Sequence, residues 1–216
     1  MNKPTRSVQW VVWGGLALVI VGIFVAYFGS KLRPSGADAA IAPGVYGSVS
    51  DFTLTNQSGR PVTMADLRGR IWVADIIFTT CPGPCAKMTR TMQLLQAALP
   101  AESGVNLISL TANPAYDTPE VLKSYAERFG ARTENWHFLT GPKKKIYDLA
   151  IDSLKTAVDE IPPEERKAVD DLFIHSTRFV LVDRQGQLRG FFEGDTAESI
   201  PKILKAVELL SREKDL

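Results

Sequence analysis

The chain has 216 residues, 45% hydrophobic and 23% charged, enough for one well-buried globular domain plus an appendage and unlike a disordered chain. Its net charge of +1 conceals an asymmetry: residues 1–36 carry four basic side chains and no acid, whereas residues 37–216 carry 21 of the 25 basic and all 24 acidic ones. That slightly acidic remainder excludes nucleic acid as an electrostatic partner.

In chain order, the first feature is SVQWVVWGGLALVIVGIFVAYFGS, Ser7 to Ser30, 24 residues without a charge. At about 1.5 Å of rise per residue this spans a hydrocarbon core of roughly 30 Å. Trp10, Trp13, Tyr27 and Phe28 lie near its ends, where aromatic belts form. A cleaved signal peptide is the competing reading, helped by Ala37-Asp38-Ala39, but the apolar run exceeds the roughly 7–15 residues usual for a signal core. A retained anchor over residues 1–30 is therefore expected, with the span at about 8–28. Lys3 and Arg6 balance Lys31 and Arg33 across it, and only the α-amino group tips the N-terminus inward. The rest of the chain is then expected on the periplasmic, extracytoplasmic side, where cysteines can be oxidised. Residues 31–50 are rich in Ala, Gly, Pro and Ser and read as a flexible tether.

From residue 51 to 216 a single domain is expected. Phe52–Thr55 and Pro61–Thr63 flank Asn56-Gln57-Ser58-Gly59 as a hairpin. IWVADIIF, Ile71 to Phe78, suits a strand buried on both faces. A helix follows from about Pro84 to Leu99, with Cys85, Met88, Met92, Leu95 and Leu99 on one stripe. Val105–Leu110 is the next strand. Asp117-Thr118-Pro119-Glu120 opens a helix, read as a capping acid, an early proline and a glutamate three residues on; that helix ends at Gly130. Trp136–Leu139 is a short strand and Pro142 to about Leu154 a helix beginning in Lys143-Lys144-Lys145, a solvated basic start. Ile161–Asp171 reads as an insertion with helical turns. Arg178–Asp183 and Gln187–Phe192 are strands joined by a turn, and Asp195 with Glu198 caps a final helix. Strands alternating with helices imply an α/β domain with a mainly parallel sheet and an antiparallel closing edge.

Chemistry concentrates in TTCPGPC, residues 79–85, which contains both cysteines of the chain, Cys81 and Cys85. They follow the first buried strand, at its carboxyl end, where α/β proteins place their sites. A helix N-terminus favours thiolate, and Pro84 suits the first turn. Positions i and i+4 share a face, so a disulfide and a shared metal ion are both open. A purely structural clip over so short a ring contributes only about 2 kcal/mol. Histidine is equally scarce. His137, on a short strand, reads as structural; His175, before the strand at 178, is a candidate ligand. Met88 and Met92 belong to the core stripe rather than to a thioether site. Asp75, inside the buried strand, either tunes a thiol or makes a structural hydrogen bond. Two thiolates and an imidazole fall short of a four-ligand structural zinc site and suit low-coordinate copper.

Several separated motifs follow one pattern: strand, C-x-x-x-C (Cys81, Cys85), helix; then Asn113-Pro114 before Asp117-Thr118-Pro119-Glu120; then Trp136-His137-Phe138-Leu139-Thr140-Gly141; then His175-Ser176 before a VLVD strand. In this the chain resembles the SCO/SenC family over about residues 50–210. The resemblance implies a thioredoxin-like fold, a central mixed sheet flanked by helices, tethered to a membrane. It implies a copper site of Cys81, Cys85 and His175 and a role in metallating the binuclear copper centre of cytochrome c oxidase. That role is copper delivery to the copper-receiving subunit, reduction of its cysteines, or both. A thiol–disulfide oxidoreductase acting on envelope proteins, with Cys81 and Cys85 as the redox pair, is the alternative. Departures from the family pattern are Pro82-Gly83-Pro84 where an Asp is common within the motif, Ala86 where a proline commonly follows it, and Asn113 in place of Asp.

Overall fold

The computed structural model describes residues 13–16, 18–24, 44–81, 83–165 and 173–213. The chain divides into two units, residues 1–41 and 42–216.

In the first unit, residues 13–16 and 18–24 are helical, and their large apolar side chains, from Trp13 to Phe24, are exposed. Among the described residues no helix is long and apolar enough to cross a membrane. The span expected over 8–28 extends beyond them, and the tether is outside them as far as residue 43. Residues 46–49, its last part, are pinned to the second unit's hairpin turn. Tyr46 and Val49 donate backbone N–H groups to Leu188 and Gly186, and Gly47 accepts from Leu188.

The second unit is built around a seven-stranded sheet. Its strands are β1 (Thr53–Asn56), β2 (Pro61–Thr63), β3 (Trp72–Ile77), β4 (Asn106–Thr111), β5 (Trp136–Thr140), β8 (Arg178–Val182) and β9 (Leu188–Glu193), in spatial order β2-β1-β5-β4-β3-β8-β9. A separate two-stranded sheet pairs β6 (Val158–Glu160) with β7 (Phe173–His175). Among the described residues only β3–β4 and β4–β5 are parallel pairs; the other strand pairings are antiparallel. The sheet is therefore mixed, as the family resemblance implies, and not mainly parallel as alternation alone suggests.

The helices are α1 (Met64–Leu67), α2 (Pro84–Ala98), α3 (Pro119–Arg128), α4 (Lys143–Asp148) and α5 (Ile200–Arg212). Local chemistry accounts for their ends. Thr63 and Asp66 form a reciprocal capping box at α1. Thr118 accepts from the N–H of Val121 at 3.4 Å and so caps α3. The expected cap at Asp195 is instead Thr196, whose hydroxyl accepts from Glu198 and starts a 3₁₀ turn, Ala197–Ser199, that leads into α5. α4 continues as one π-helical turn, Leu149–Ser153, which completes the helix expected to residue 154.

Every residue of β3 and β4 is buried, so these two strands form the centre of the core. Cys85, Met88, Met92 and Leu95 of α2 are at most 1% exposed, which confirms the stripe and gives both methionines a packing role. Helix α2 lies against β3 and α5, and α3 lies against β5 and β1. The insertion expected over Ile161–Asp171 lies between the two strands of the β6–β7 pair, and its described residues include a 3₁₀ turn at Pro163–Glu165. Residues 166–172 lie outside the described ones.

Candidate functional site: a dithiol at the carboxyl end of β3

The turn from β3 into α2 delivers both cysteines. Phe78 opens it, accepting the N–H of Cys81 at 3.2 Å. Pro84 and Cys85 are the first residues of α2, and the N-cap, Gly83, offers no side-chain partner to the first-turn N–H groups. Those groups and the helix dipole therefore make this end electropositive.

Both cysteines are in the reduced, thiol form; Cys81 is half-buried and Cys85 only 1% exposed. Their side chains are hydrogen-bonded to each other. That bond first, then burial, then the nearby charges of Cys81 and Asp75 push the Cys85 thiol far above the ordinary thiol range; a hydrogen bond with the Phe78 backbone opposes them. Cys85 thus keeps its proton beside the less buried Cys81.

A polar set lies beneath the pair. Thr89 donates to the Cys85 carbonyl at 2.9 Å and shares a 2.8 Å hydrogen bond with the Tyr125 hydroxyl. Burial raises the Tyr125 hydroxyl, with the charges of Cys85 and Asp75 adding to it. Asp75, 1% exposed, sits on β3 opposite Ser109 of β4. Its charge is the smallest of the influences that raise the Cys85 thiol.

Asp117 is the residue that sequence reasoning misplaced. Thr118 caps α3, whereas Asp117 is 0% exposed and accepts from Thr79 N–H at 3.2 Å, from the Thr79 hydroxyl and from the Thr111 hydroxyl. Burial raises its carboxyl above the usual range, and these hydrogen bonds oppose the rise. A signal was present: with a threonine already next to the proline, the acid before it was spare.

His175 is the last residue of β7, in register with Val158. On the same strand, Phe173 packs edge-on against Phe78, ring centroids 5.1 Å apart. This contact brings β7 against the residue that opens the cysteine turn. The His175 side chain lies outside the described ones. Among the described residues no three His, Cys, Asp or Glu side chains are grouped for a metal; Cys81 and Cys85 are grouped as a pair. His137 lies on β5, half-buried, and burial lowers its pKa while Asp66 opposes the change. It lies well within the sheet, consistent with a structural role.

Two grooves open at this end of the sheet. One, of about 450 Å³, is lined by Thr79, Thr80, Tyr116, Glu120, Ser124 and Arg128 among others. The other, of about 350 Å³, includes Asn113, Gly141, Lys143, Glu160 and Phe173. Chemically, a protonated buried thiol behind an accessible sulfur suits disulfide exchange. With both protons removed, the same pair presents two soft donors to one metal ion.

A mixed sheet flanked by helices, with a reduced dithiol where a central strand enters its helix, defines a thioredoxin-like dithiol protein. The SCO1/SenC family matches residues 44–210, and the chain belongs to that family. The SCO1 protein homolog of Bacillus subtilis (strain 168) is 37% identical over 148 residues, 68% of this chain and 74% of that protein. Among solved structures, BsSco, a member of the Sco family of cytochrome c oxidase assembly proteins, is 34% identical with a TM-score of 0.68, covering 80% of this chain and 98% of that one. Yeast Sco1 with copper bound shares the fold at 24% identity and a TM-score of 0.61, over 78% of this chain and 96% of that one.

Proposed function

We propose that this chain is a membrane-tethered copper chaperone for the binuclear copper site of cytochrome c oxidase, taking copper as cargo on Cys81, Cys85 and His175. The observation that carries this reading is the pairing of the chain's two cysteines, sulfur to sulfur, at the carboxyl end of β3. Membership of the SCO1/SenC family supports it, as does the assembly role of BsSco. The contact between Phe173 and Phe78 supports His175 as the third ligand, because it brings that histidine's strand to the cysteine turn.

In this mechanism the two thiols give up their protons as copper enters, and His175 completes a three-ligand site. Copper leaves by stepwise ligand exchange with the receiving subunit. Cys81, the accessible sulfur, is the first to share it. The uncharged stretch of residues 7–30 serves as the anchor and keeps the domain on the extracytoplasmic side. Anaerobic titration of the reduced protein with Cu(I) tests the site. One equivalent binds the wild type, and His175→Ala weakens binding by at least about tenfold with thiol titre unchanged. Equal affinity in that variant would sink the three-ligand site.

A second reading is favoured by one observation, the asymmetry between the two thiols. As a thiol–disulfide reductase of the same target's cysteines, Cys81 attacks the target disulfide and Cys85 resolves the mixed disulfide. Cys85→Ser then traps a mixed disulfide with the target, and His175→Ala leaves that trapping intact.

A further inference from the structure

We propose that Asp117 is a positioning residue for the dithiol: its carboxylate ties down the turn that carries Cys81 and so sets how readily the two sulfurs meet. The inference rests on the dithiol reading above, though on the thiols and not on copper.

A fully buried carboxylate is costly unless donors satisfy it. Asp117 has three, and two of them come from Thr79, two residues before Cys81. The third comes from Thr111, the last residue of β4. The loop from β4 delivers the carboxylate to this point: Thr111 accepts from the Asn113 N–H at 2.9 Å, and Asn113 accepts from the Asp117 N–H at 2.9 Å.

A purely structural cross-link between the strands does not account for this arrangement. β3 and β4 are already in parallel register from Trp72↔Asn106 to Ile77↔Thr111, and Ala112 donates to Ile77 at 2.7 Å. The bonds to Thr79 begin where that ladder ends, and what they secure is the turn. Phe78, the residue before Thr79, accepts from Cys81 and makes the backbone hydrogen bond with Cys85. Holding Thr79 therefore holds the segment through which both cysteines are oriented. Preorganisation of this kind decides how often two reacting atoms stand at bonding distance.

The test compares Asp117→Ala, Asp117→Asn, Thr79→Val and Thr111→Val in the full chain in detergent. It reads the Cys81–Cys85 disulfide equilibrium against glutathione together with Cu(I) affinity and melting temperature. For Asp117→Ala the disulfide equilibrium constant falls about tenfold, equivalent to about 30 mV, and copper affinity falls by about tenfold or more. Asp117→Asn, which keeps one oxygen for Thr79, recovers part of both. Thr111→Val loses a buried hydrogen bond and melts lower, yet leaves both readouts within about twofold, because Thr79 is still held. Equal shifts in Asp117→Ala and Thr111→Val, or an unchanged equilibrium in Asp117→Ala, overturn the proposal. Should Asp117→Ala not fold, Thr79→Val against Thr111→Val decides on the same terms: a shift confined to Thr79→Val supports the positioning role, and equal or absent shifts overturn it. A wild type that binds no copper defeats the function proposed above but leaves the glutathione equilibrium to judge Asp117.

Discussion

At the scale of single residues, the two sulfurs four positions apart differ in exposure, and this difference makes metal loading sensitive to pH. Cys85 is 1% exposed, and its hydrogen bond to Cys81, its burial and the charges around it raise its thiol pKa. A metal that takes this sulfur must displace a proton the site prefers to keep. The sign follows. Below the raised pKa the proton competes with copper, so apparent affinity climbs as pH rises and falls as pH drops. Because the shift is upward, the climb continues through the range near pH 8.5 where an ordinary thiol levels off. Competition titrations with Cu(I) at pH 6, 7 and 8 should show affinity rising at each step, by up to about a hundredfold per unit where two protons leave together. An affinity that is flat between pH 6 and 8 contradicts a protonated Cys85.

At the scale of elements, helix α2 supports the site from below, and its two faces make opposite predictions. Leu95 is 0% exposed, against 51% for its neighbour Leu94. Leu95→Ala should cost about 2–5 kcal/mol in urea unfolding, and Leu94→Ala no more than about 0.5 kcal/mol. Comparable losses at both positions would mean that the helix is not seated on β3 as described. This stripe was legible beforehand because amphipathic periodicity is a local signal. So was the run of β3, whose burial on both faces requires a mostly apolar stretch, here interrupted by Asp75. Pairing is not local, and there the sequence misled. β1 lies beside β5 through Thr55↔Thr140, a neighbourhood that no alternation of strand and helix encodes. The β6–β7 pair escaped notice for the same reason, since three-residue strands leave no periodic trace. Asp117 was misread because two adjacent residues could each cap α3. Only the tertiary structure shows that Thr118 makes the cap and Asp117 reaches the cysteine turn. The cysteines themselves were legible from scarcity and position, whereas their inequality depends on packing that the motif does not contain.

At the scale of the whole molecule, charge and hydropathy separate the two units more sharply than length does. Residues 42–216 include the sheet, the helices and the dithiol turn, and the backbone of residues 46–49 is hydrogen-bonded to the β8–β9 hairpin turn. Removal of everything before residue 44 therefore cuts none of the hydrogen bonds described in the second unit, and the shortened chain should fold. The uncharged stretch of residues 7–30 has a different task in the proposed function. An apolar run of that length resides in a bilayer because each buried side chain is transferred out of water and each backbone polar group is satisfied within a helix. Expressed in a bacterium and fractionated, the full chain should sediment with membranes and resist extraction by high salt, which releases proteins held by charge alone. The chain starting at residue 44 should stay in the soluble fraction and bind copper with the affinity of the full chain in detergent. Recovery of the full chain in the soluble fraction overturns the anchor. A truncated chain that folds but has lost copper would mean that the N-terminal unit contributes to the site.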